Sequence, residues 1–350
     1  MVTAACINPF CQQRSWYRNT CEVAADNAAY TGRTDKQAAD GVRILCQIRE
    51  ALAARVADAV PDIEVVRIPL EGELPTGIDG EVLLTYPWAS ANLRQVLARG
   101  VRWIHALGTG VDAFPFHLLT GQTLTCSRGG SAIPIAEWVL ATMLAFEKHL
   151  PDAWIHSVPI GGWSRAALGT LHGRTLGLVG FGGIARGVAQ RALPFGMRVR
   201  AYRRSAGPSE VGGVEVLASL AELVASSDHV VIAAPATAAT RHLFSRDVFA
   251  AAKPGIHLVN IARGALVDQD ALRVALDDHR VAMASLDAVE PEPLPDGHWM
   301  YTHPCVRLSP HISWSMPGAA DLLLDAFVDN LRRYQAGEPL TGLVDVAAGY

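Results

Sequence analysis

The stretch Thr175-Leu176-Gly177-Leu178-Val179-Gly180-Phe181-Gly182-Gly183-Ile184-Ala185 decides the fold. Its first five residues form a short apolar run that reads as a buried strand, and the glycines after it break that run. Ile184, Val188, Ala192 and Phe195 then recur at helical spacing as far as Gly196. Between strand and helix, Gly180 to Ala185 fits GxGxxG/A with alanine in the last place. Each position has a physical reason. Gly180 permits the tight turn, Gly182 lets the backbone approach a pyrophosphate, and a small third residue lets helix and strand pack closely. Free N–H groups at the helix start, from Gly183 and Ile184 onward, face the anion. Glycines also serve ordinary turns, but a strand before and a helix after favour the dinucleotide reading.

Working outward, further strands are predicted at Val199 to Tyr202, His229 to Ala233, His257 to Ile261, Val281 to Leu286 and Val306 to Leu308, with helices between the earlier ones. Six such strands make a doubly wound parallel sheet. Upstream, Val42 to Cys46, Ile63 to Ile68, Gly80 to Thr85 and Val101 to Ala106 read as strands, and Arg49 to Val60 and Leu93 to Ala98 as helices. This is a second alternating α/β unit. A helix-length apolar segment, Ile135 to Leu150, joins the two. The final helix, Ala319 to Ala336, follows the last strand and needs a surface to cover; the first unit supplies one. The expected architecture is therefore α/β, with two Rossmann-like doubly wound parallel-sheet domains and a cleft between them. The substrate domain takes residues 41–130 and 316–350, and the dinucleotide-binding domain takes 131–315. Residues 1–40 lack a sustained period and are expected to form a poorly ordered extension.

The chain has 350 residues, 50% of them hydrophobic and 18% charged, which excludes a disordered or collagen-like protein. Thirty Lys and Arg against 34 Asp and Glu leave a net charge of −4, so no broad attraction to nucleic acid or an anionic membrane is expected. No apolar stretch reaches the ~18 residues of a membrane span, and no secretion signal opens the sequence. A cytoplasmic protein with reduced thiols is expected. The six cysteines, Cys6, Cys11, Cys21, Cys46, Cys126 and Cys305, show no CxxC pair and no zinc spacing. No metal site is predicted.

About twenty residues beyond the central glycine, where an acid would bond the ribose 2′-hydroxyl of NAD(H), stand Arg203, Arg204 and Ser205. Two guanidinium forks and a hydroxyl suit a 2′-phosphate. NADP(H) is expected over NAD(H), which remains possible. In such a sheet the ligand lies beyond the carboxyl ends of the strands. Ala234 and Pro235 follow the third strand, and Asn260, Ala262, Arg263 and Gly264 lie at the end of the fourth. Asp287, Glu290 and Glu292 follow the fifth, and Pro310 and His311 the sixth. Ala234, Pro235 and Ile261 are placed against the cofactor, and Asp287 is expected to contact its nicotinamide carboxamide. Reducing a 2-oxo acid needs a carboxylate anchor and a proton donor. Arg263 supplies the fork, His311 the proton, and Glu292 stabilises the imidazolium so that the donor form persists near neutrality. Each has a plainer reading: a structural histidine, a solvated acidic loop, or Arg263 paired with Asp268. After Val101 to Ala106 comes Gly108-Thr109-Gly110-Val111-Asp112, whose N–H groups can form an anion nest, or simply a turn.

With these residues in place the chain resembles the D-isomer-specific 2-hydroxyacid dehydrogenases, nearest the glyoxylate and hydroxypyruvate reductase branch. The likeness runs from about Gly80 to Leu331. It rests on GTGVD (Gly108 to Asp112), GLVGFGGIA (Gly177 to Ala185), VNIARGALVD (Val259 to Asp268), LDAVEPEPLP (Leu286 to Pro295) and LSPHIS (Leu308 to Ser313). The resemblance implies a CH–OH oxidoreductase in which Arg263, Glu292 and His311 are catalytic. Thr109 and Gly110 match the backbone carboxylate site, and Asp287 the carboxamide contact. It also implies a homodimer built through the nucleotide domain. Two departures stand out: SRGG at Ser127 to Gly130 in place of an Asn-Pro-Gly turn, and Trp314 where small residues are usual, which narrows the pocket. Competing readings on the same scaffold are a nucleotide-sensing corepressor and a phosphoglycerate, formate or phosphite dehydrogenase.

Overall fold

The computed structural model describes residues 41–88, 90–158, 163, 164, 166–204 and 207–350. The 1–40 segment, with Cys6, Cys11 and Cys21, and the residue Ser205 lie outside them.

Two parallel sheets carry the fold. The first contains β1 (Val42–Cys46), β2 (Ile63–Arg67), β3 (Val82–Thr85), β4 (Trp103–Ala106) and β5 (Thr123–Cys126) in the order β2-β1-β3-β4-β5. The second contains β6 (Thr175–Val179), β7 (Arg198–Tyr202), β8 (Val214–Leu217), β9 (His229–Ile232), β10 (Ile256–Asn260), β11 (Val281–Leu286) and β12 (Val306–Leu308). Its order is β12-β11-β10-β9-β6-β7-β8. Every named strand pair in both sheets is parallel. In each sheet the order reverses once, between β1 and β3 and between β6 and β9. Chain segments leaving the carboxyl ends of those strands diverge there and open a crevice.

Strands buried on both faces favour near-continuous apolar runs, as in β3 and β6, while β10 is buried throughout although it carries His257 and Asn260. Eight α-helices, α1 (Glu50–Ala59), α2 (Leu93–Leu97), α3 (Ala132–Glu147), α4 (Gly183–Ala192), α5 (Leu220–Ser226), α6 (Arg246–Ala251), α7 (Gln269–Asp277) and α8 (Ala319–Gln335), are found among the described residues, and apolar layers cover each sheet face. Around the first sheet, Ile44, Val56, Leu84 and Trp103 form one layer with Leu324, Phe327 and Leu331. Those last three belong to the final helix, α8 (Ala319–Gln335), so it packs against the first sheet as its amphipathic pattern requires. The helix Ala132–Glu147, α3, packs instead on α4 (Gly183–Ala192) and the second sheet through Ile135, Val139 and Met143. Phe244, Leu258, Leu272 and Leu286 fill the opposite face.

Two strands were not predicted. Thr123–Cys126 and Val214–Leu217 have four residues each and lie at sheet edges, where one neighbour suffices and the apolar run is short. The second sheet therefore has seven strands and not six. Among the described residues no helix is long and apolar enough to cross a membrane.

Candidate active site

The glycine turn joins β6 to α4 at the reversal point of the second sheet. Gly180 has φ +89°, and a Cβ there would lie 2.8 Å from the backbone of Ala233 and Ala234 at the end of β9. Only glycine fits both conditions. Gly182 precedes α4 in extended conformation with nothing within 4 Å of where its Cβ would be. Its open side lies beside the first N–H groups of α4, which have no acceptor within the helix. Ala185 is fully buried, so the small third residue serves packing. Gly183 and Ile184 begin the helix, and a Cβ on Gly183 would lie 3.3 Å from the Gly129 backbone, which follows β5 of the first sheet. An open backbone cradle at a helix start fits a dinucleotide pyrophosphate.

The Gly180 N–H donates to the Tyr202 carbonyl at 2.8 Å, which sets the residues after β7 beside this turn. There the two arginines differ. Arg203 is spent within its own loop: Nη1 donates to both Glu210 carboxylate oxygens at 2.9 and 3.1 Å, and Nη2 to the carbonyls of Gly207 and Pro208 at 3.3 and 2.8 Å. The fork expected to be free at Arg203 is thus engaged by Glu210, seven residues on, and by two nearby carbonyls. Arg204 is exposed and pairs with no carboxylate among the described residues. Ala234 is buried and Pro235 exposed beyond β9, while Ile261 is buried just after β10.

Arg263 follows β10 and reaches across to the GTGVD segment. Its Nε donates to both Asp112 carboxylate oxygens at 3.0 Å, and its Nη2 lies 2.8 Å from Asp112 Oδ1. Its Nη1 donates to the Ala262 carbonyl at 2.8 Å. The side chains of both Arg263 and Asp112 are about one-third exposed, so the pair lines an accessible gap. A Cβ on Gly110 would run into the Arg263 guanidinium, which places Thr109 and Gly110 against it. Sequence reasoning considered Asp268 as the partner of Arg263. Asp268 instead caps helix α7 (Gln269–Asp277), accepting from the N–H groups of Asp270 and Ala271.

His311 sits three residues past β12 at φ +54°, uncommon for a residue with a side chain. Asp287 explains how the loop is held. It is 2% exposed, and its two oxygens accept from Ser309 Oγ (2.5 Å) and from the N–H groups of Ile312 (2.9 Å) and Ser313 (3.0 Å). Its carboxylate therefore anchors the His311 loop, with Oδ1 taking two of these bonds and Oδ2 one. Trp314 Nε1 donates to the His311 carbonyl at 2.8 Å, a brace that sequence reasoning read only as pocket bulk.

With the loop fixed, His311 Nδ1 meets Glu292 Oε2 at 2.8 Å, leaving Nε2 as the outer nitrogen. Burial pushes the Glu292 carboxyl up. The hydrogen bond and charge of His311, the Val289 N–H and Arg263 outweigh this, so the net shift is downward and Glu292 is the ionised partner. Asn260, 1% exposed, ties the pieces together: its Nδ2 donates to the carbonyls of Arg263 (3.0 Å) and Ala288 (3.2 Å), and its Oδ1 accepts from Ala262 N–H. Sequence reasoning noted its place at a strand end but gave it no task.

Gly264 adds a second tie. A Cβ there would overlap the backbone of Val289 and Glu290, the segment that carries Glu292. Gly264→Ala is expected to displace that segment and cost about 1–3 kcal/mol. The melting temperature and kcat/KM should fall together; an unchanged melt with full activity would show that the contact yields.

Pairwise contacts link the site residues: Gly110 lies against Arg263, the Arg263 charge acts on Glu292, and Glu292 holds His311. Three other histidines are structural. His105, His229 and His257 are fully buried, and burial takes His105 down to about 3, so it stays neutral. Among the described residues no group of three or more potential ligands could hold a metal.

The family model described as D-isomer specific 2-hydroxyacid dehydrogenase, NAD binding domain, matches residues 140–313. Glyoxylate/hydroxypyruvate reductase A of Serratia proteamaculans is 31% identical over 262 residues, covering 71% of this chain and 82% of that protein. The (S)-sulfolactate dehydrogenase of Chromohalobacter salexigens is 34% identical over 250 residues, covering 69% and 80%. A crystal structure of a D-isomer specific 2-hydroxyacid dehydrogenase from Xanthobacter autotrophicus Py2, in complex with NADPH and MES, superposes with a TM-score of 0.78. It has 26% identity and covers 89% of this chain and 100% of that one. Motifs, sheet orders and relatives agree: the chain belongs to the D-isomer specific 2-hydroxyacid dehydrogenases, NAD(P)-binding oxidoreductases that act on a CH–OH group.

Proposed function

We propose that the protein is an NADPH-preferring reductase of short 2-oxo acids of the glyoxylate, hydroxypyruvate or pyruvate type, working as a cytoplasmic homodimer. The observation that carries this reading is the His311–Glu292 pair at 2.8 Å on the same gap as the Arg263 fork and the Thr109–Gly110 backbone. When bound, the dinucleotide supplies the hydride. Gly180, Gly182, Gly183 and Ile184 would hold its pyrophosphate, with Ala234, Pro235 and Ile261 beside it.

This chain's residues do the rest. The Nη1 and Nη2 hydrogens of Arg263 not taken by Ala262 and Asp112 donate to the substrate carboxylate and polarise the neighbouring carbonyl, while N–H groups of the Thr109–Gly110 turn donate to the other side of the carboxylate. His311 gives the Nε2 proton to the developing alkoxide, and ionised Glu292 holds Nδ1 so that the ring is oriented and its charged form is paired. A small acid fits best, because Trp314 is fixed to the His311 loop and Trp88 stacks on Tyr86 at 4.9 Å beyond β3. Exposed Trp154, Val158 and Trp163, following α3, give a second copy apolar surface to cover.

Purified protein should oxidise NADPH with glyoxylate or hydroxypyruvate, with 3-sulfopyruvate and 3-phosphohydroxypyruvate as comparisons. No turnover across the panel, with NADPH binding intact, would defeat the reading and favour a nucleotide-sensing binding protein. On the cofactor side, Arg204→Ala is expected to lower kcat/KM for NADPH by about 10-fold or more, as loss of a charge-assisted contact implies, and to leave NADH little changed. Equal losses with both cofactors would remove Arg204 from the 2′-phosphate site.

A further inference from the structure

We propose that Tyr350 is a cofactor-specificity residue that holds the Arg204 guanidinium ready for the 2′-phosphate of NADP(H). The proposal rests on the NADP(H) reading above and goes beyond it by bringing in a residue attached to the other sheet.

Tyr350 reaches this place through a built path. The segment before it zips onto β5 at the edge of the first sheet: Cys126 N–H donates to the Gly342 carbonyl and Val344 N–H to the Leu124 carbonyl, each at 2.9 Å. Thr125 and Leu343 form an antiparallel bridge there, and Val344 is buried in the core of that sheet. Asp345 then closes a turn. Its Oδ1 accepts from the N–H groups of Ala347 and Ala348 at 3.0 Å, its carbonyl accepts from Gly349 N–H at 2.8 Å, and its own N–H donates to the Tyr350 carbonyl at 2.9 Å. The position of Tyr350 is thus fixed by the first sheet. Its ring lies under the Arg204 guanidinium, 5.2 Å from carbon to ring centroid. Arg204 belongs to the second sheet, two residues past β7 and beside the glycine turn.

The chemistry of the contact matters more than its strength. A carboxylate partner takes some of a guanidinium's N–H donors and offsets its charge; at Arg203, Glu210 takes Nη1 and two loop carbonyls take Nη2. A ring takes only the face of the cation. All the in-plane donors of Arg204 stay available for a phosphate, and the flexible side chain is already ordered. Because ring and cation come from different sheets, occupancy of the 2′-phosphate site and approach of the two halves of the molecule also favour one another.

The test is binding, read by calorimetric titration of NADPH, NADH, adenosine 2′,5′-bisphosphate and AMP into wild type, Tyr350→Ala, Tyr350→Phe, Arg204→Ala and the Arg204→Ala/Tyr350→Ala double variant. Melting temperatures are matched first. Tyr350→Ala should weaken NADPH and adenosine 2′,5′-bisphosphate by about 2- to 5-fold, the size of a cation–π contact at an exposed site, and leave NADH and AMP unchanged. Tyr350→Phe, which keeps a ring, should bind as wild type does. In the Arg204→Ala background, loss of Tyr350 should add nothing. Unchanged or tighter NADPH binding by Tyr350→Ala, or an equal loss for NADH, overturns the proposal while wild-type preference for NADPH stands. If wild type itself binds NADPH and NADH equally, the cofactor reading fails and this proposal falls with it.

Discussion

Replacing His311 with Asn is expected to lower kcat by about 10²–10⁴-fold, the range of a lost general acid, with NADPH affinity changed little. Asp287, Ser309 and the Trp314 indole hold residues 309–314 through hydrogen bonds that involve only the His311 backbone or its neighbours. Asn at this position also tolerates the left-handed backbone better than most residues do, so the loop should survive the substitution. What disappears is a titratable nitrogen outward of the Glu292 contact. Stopped-flow measurement of NADPH oxidation gives the rate, and a direct titration gives the affinity. A kcat within a few-fold of wild type would take the proton-donor role away from His311.

Arg263→Gln is expected to reduce kcat/KM for the 2-oxo acid by about 10²-fold or more, since hydrogen bonds to charged groups are worth ~1.5–3 kcal/mol each and the fork makes them in pairs. Here the local pairing sharpens the effect. Arg263 neutralises Asp112 across the gap through Nε and Nη2. Once the cation is gone, the Asp112 carboxylate faces the incoming substrate carboxylate, and repulsion adds to the lost attraction. Adding Asp112→Asn to Arg263→Gln should therefore recover part of the loss, a non-additivity expected of residues in direct contact. Steady-state kinetics of both single variants and the double variant decide it. If the double variant is as impaired as the two single losses combined, the Asp112 pairing has no bearing on substrate binding.

The contrast between these residues shows how far local reading reaches. Strand β6, the glycine turn and helix α4 were legible because each depends on neighbours a few residues away: an apolar run, a turn that admits no Cβ, an apolar stripe at helical spacing. The gathering of Arg263, Glu292 and His311 at strand ends followed from the parallel order, which sends every carboxyl end to one rim. The short edge strands β5 and β8 were not legible, since four residues hold too little pattern to separate a strand from a loop.

Sequence by itself thus determined the two-sheet α/β architecture, the cradle at Gly180 to Ala185 and the residue types that meet at the gap, because steric preference and hydrophobic period act over short stretches of chain. Tertiary structure alone decided the partners: Asp112 for Arg263 across 151 positions, Glu210 for Arg203, the Ile312 and Ser313 N–H groups for Asp287, and the Tyr350 ring for Arg204. Side-chain pairing depends on which groups folding brings within about 3 Å of one another, or a ring within about 6 Å of a cation. No local pattern encodes that distance.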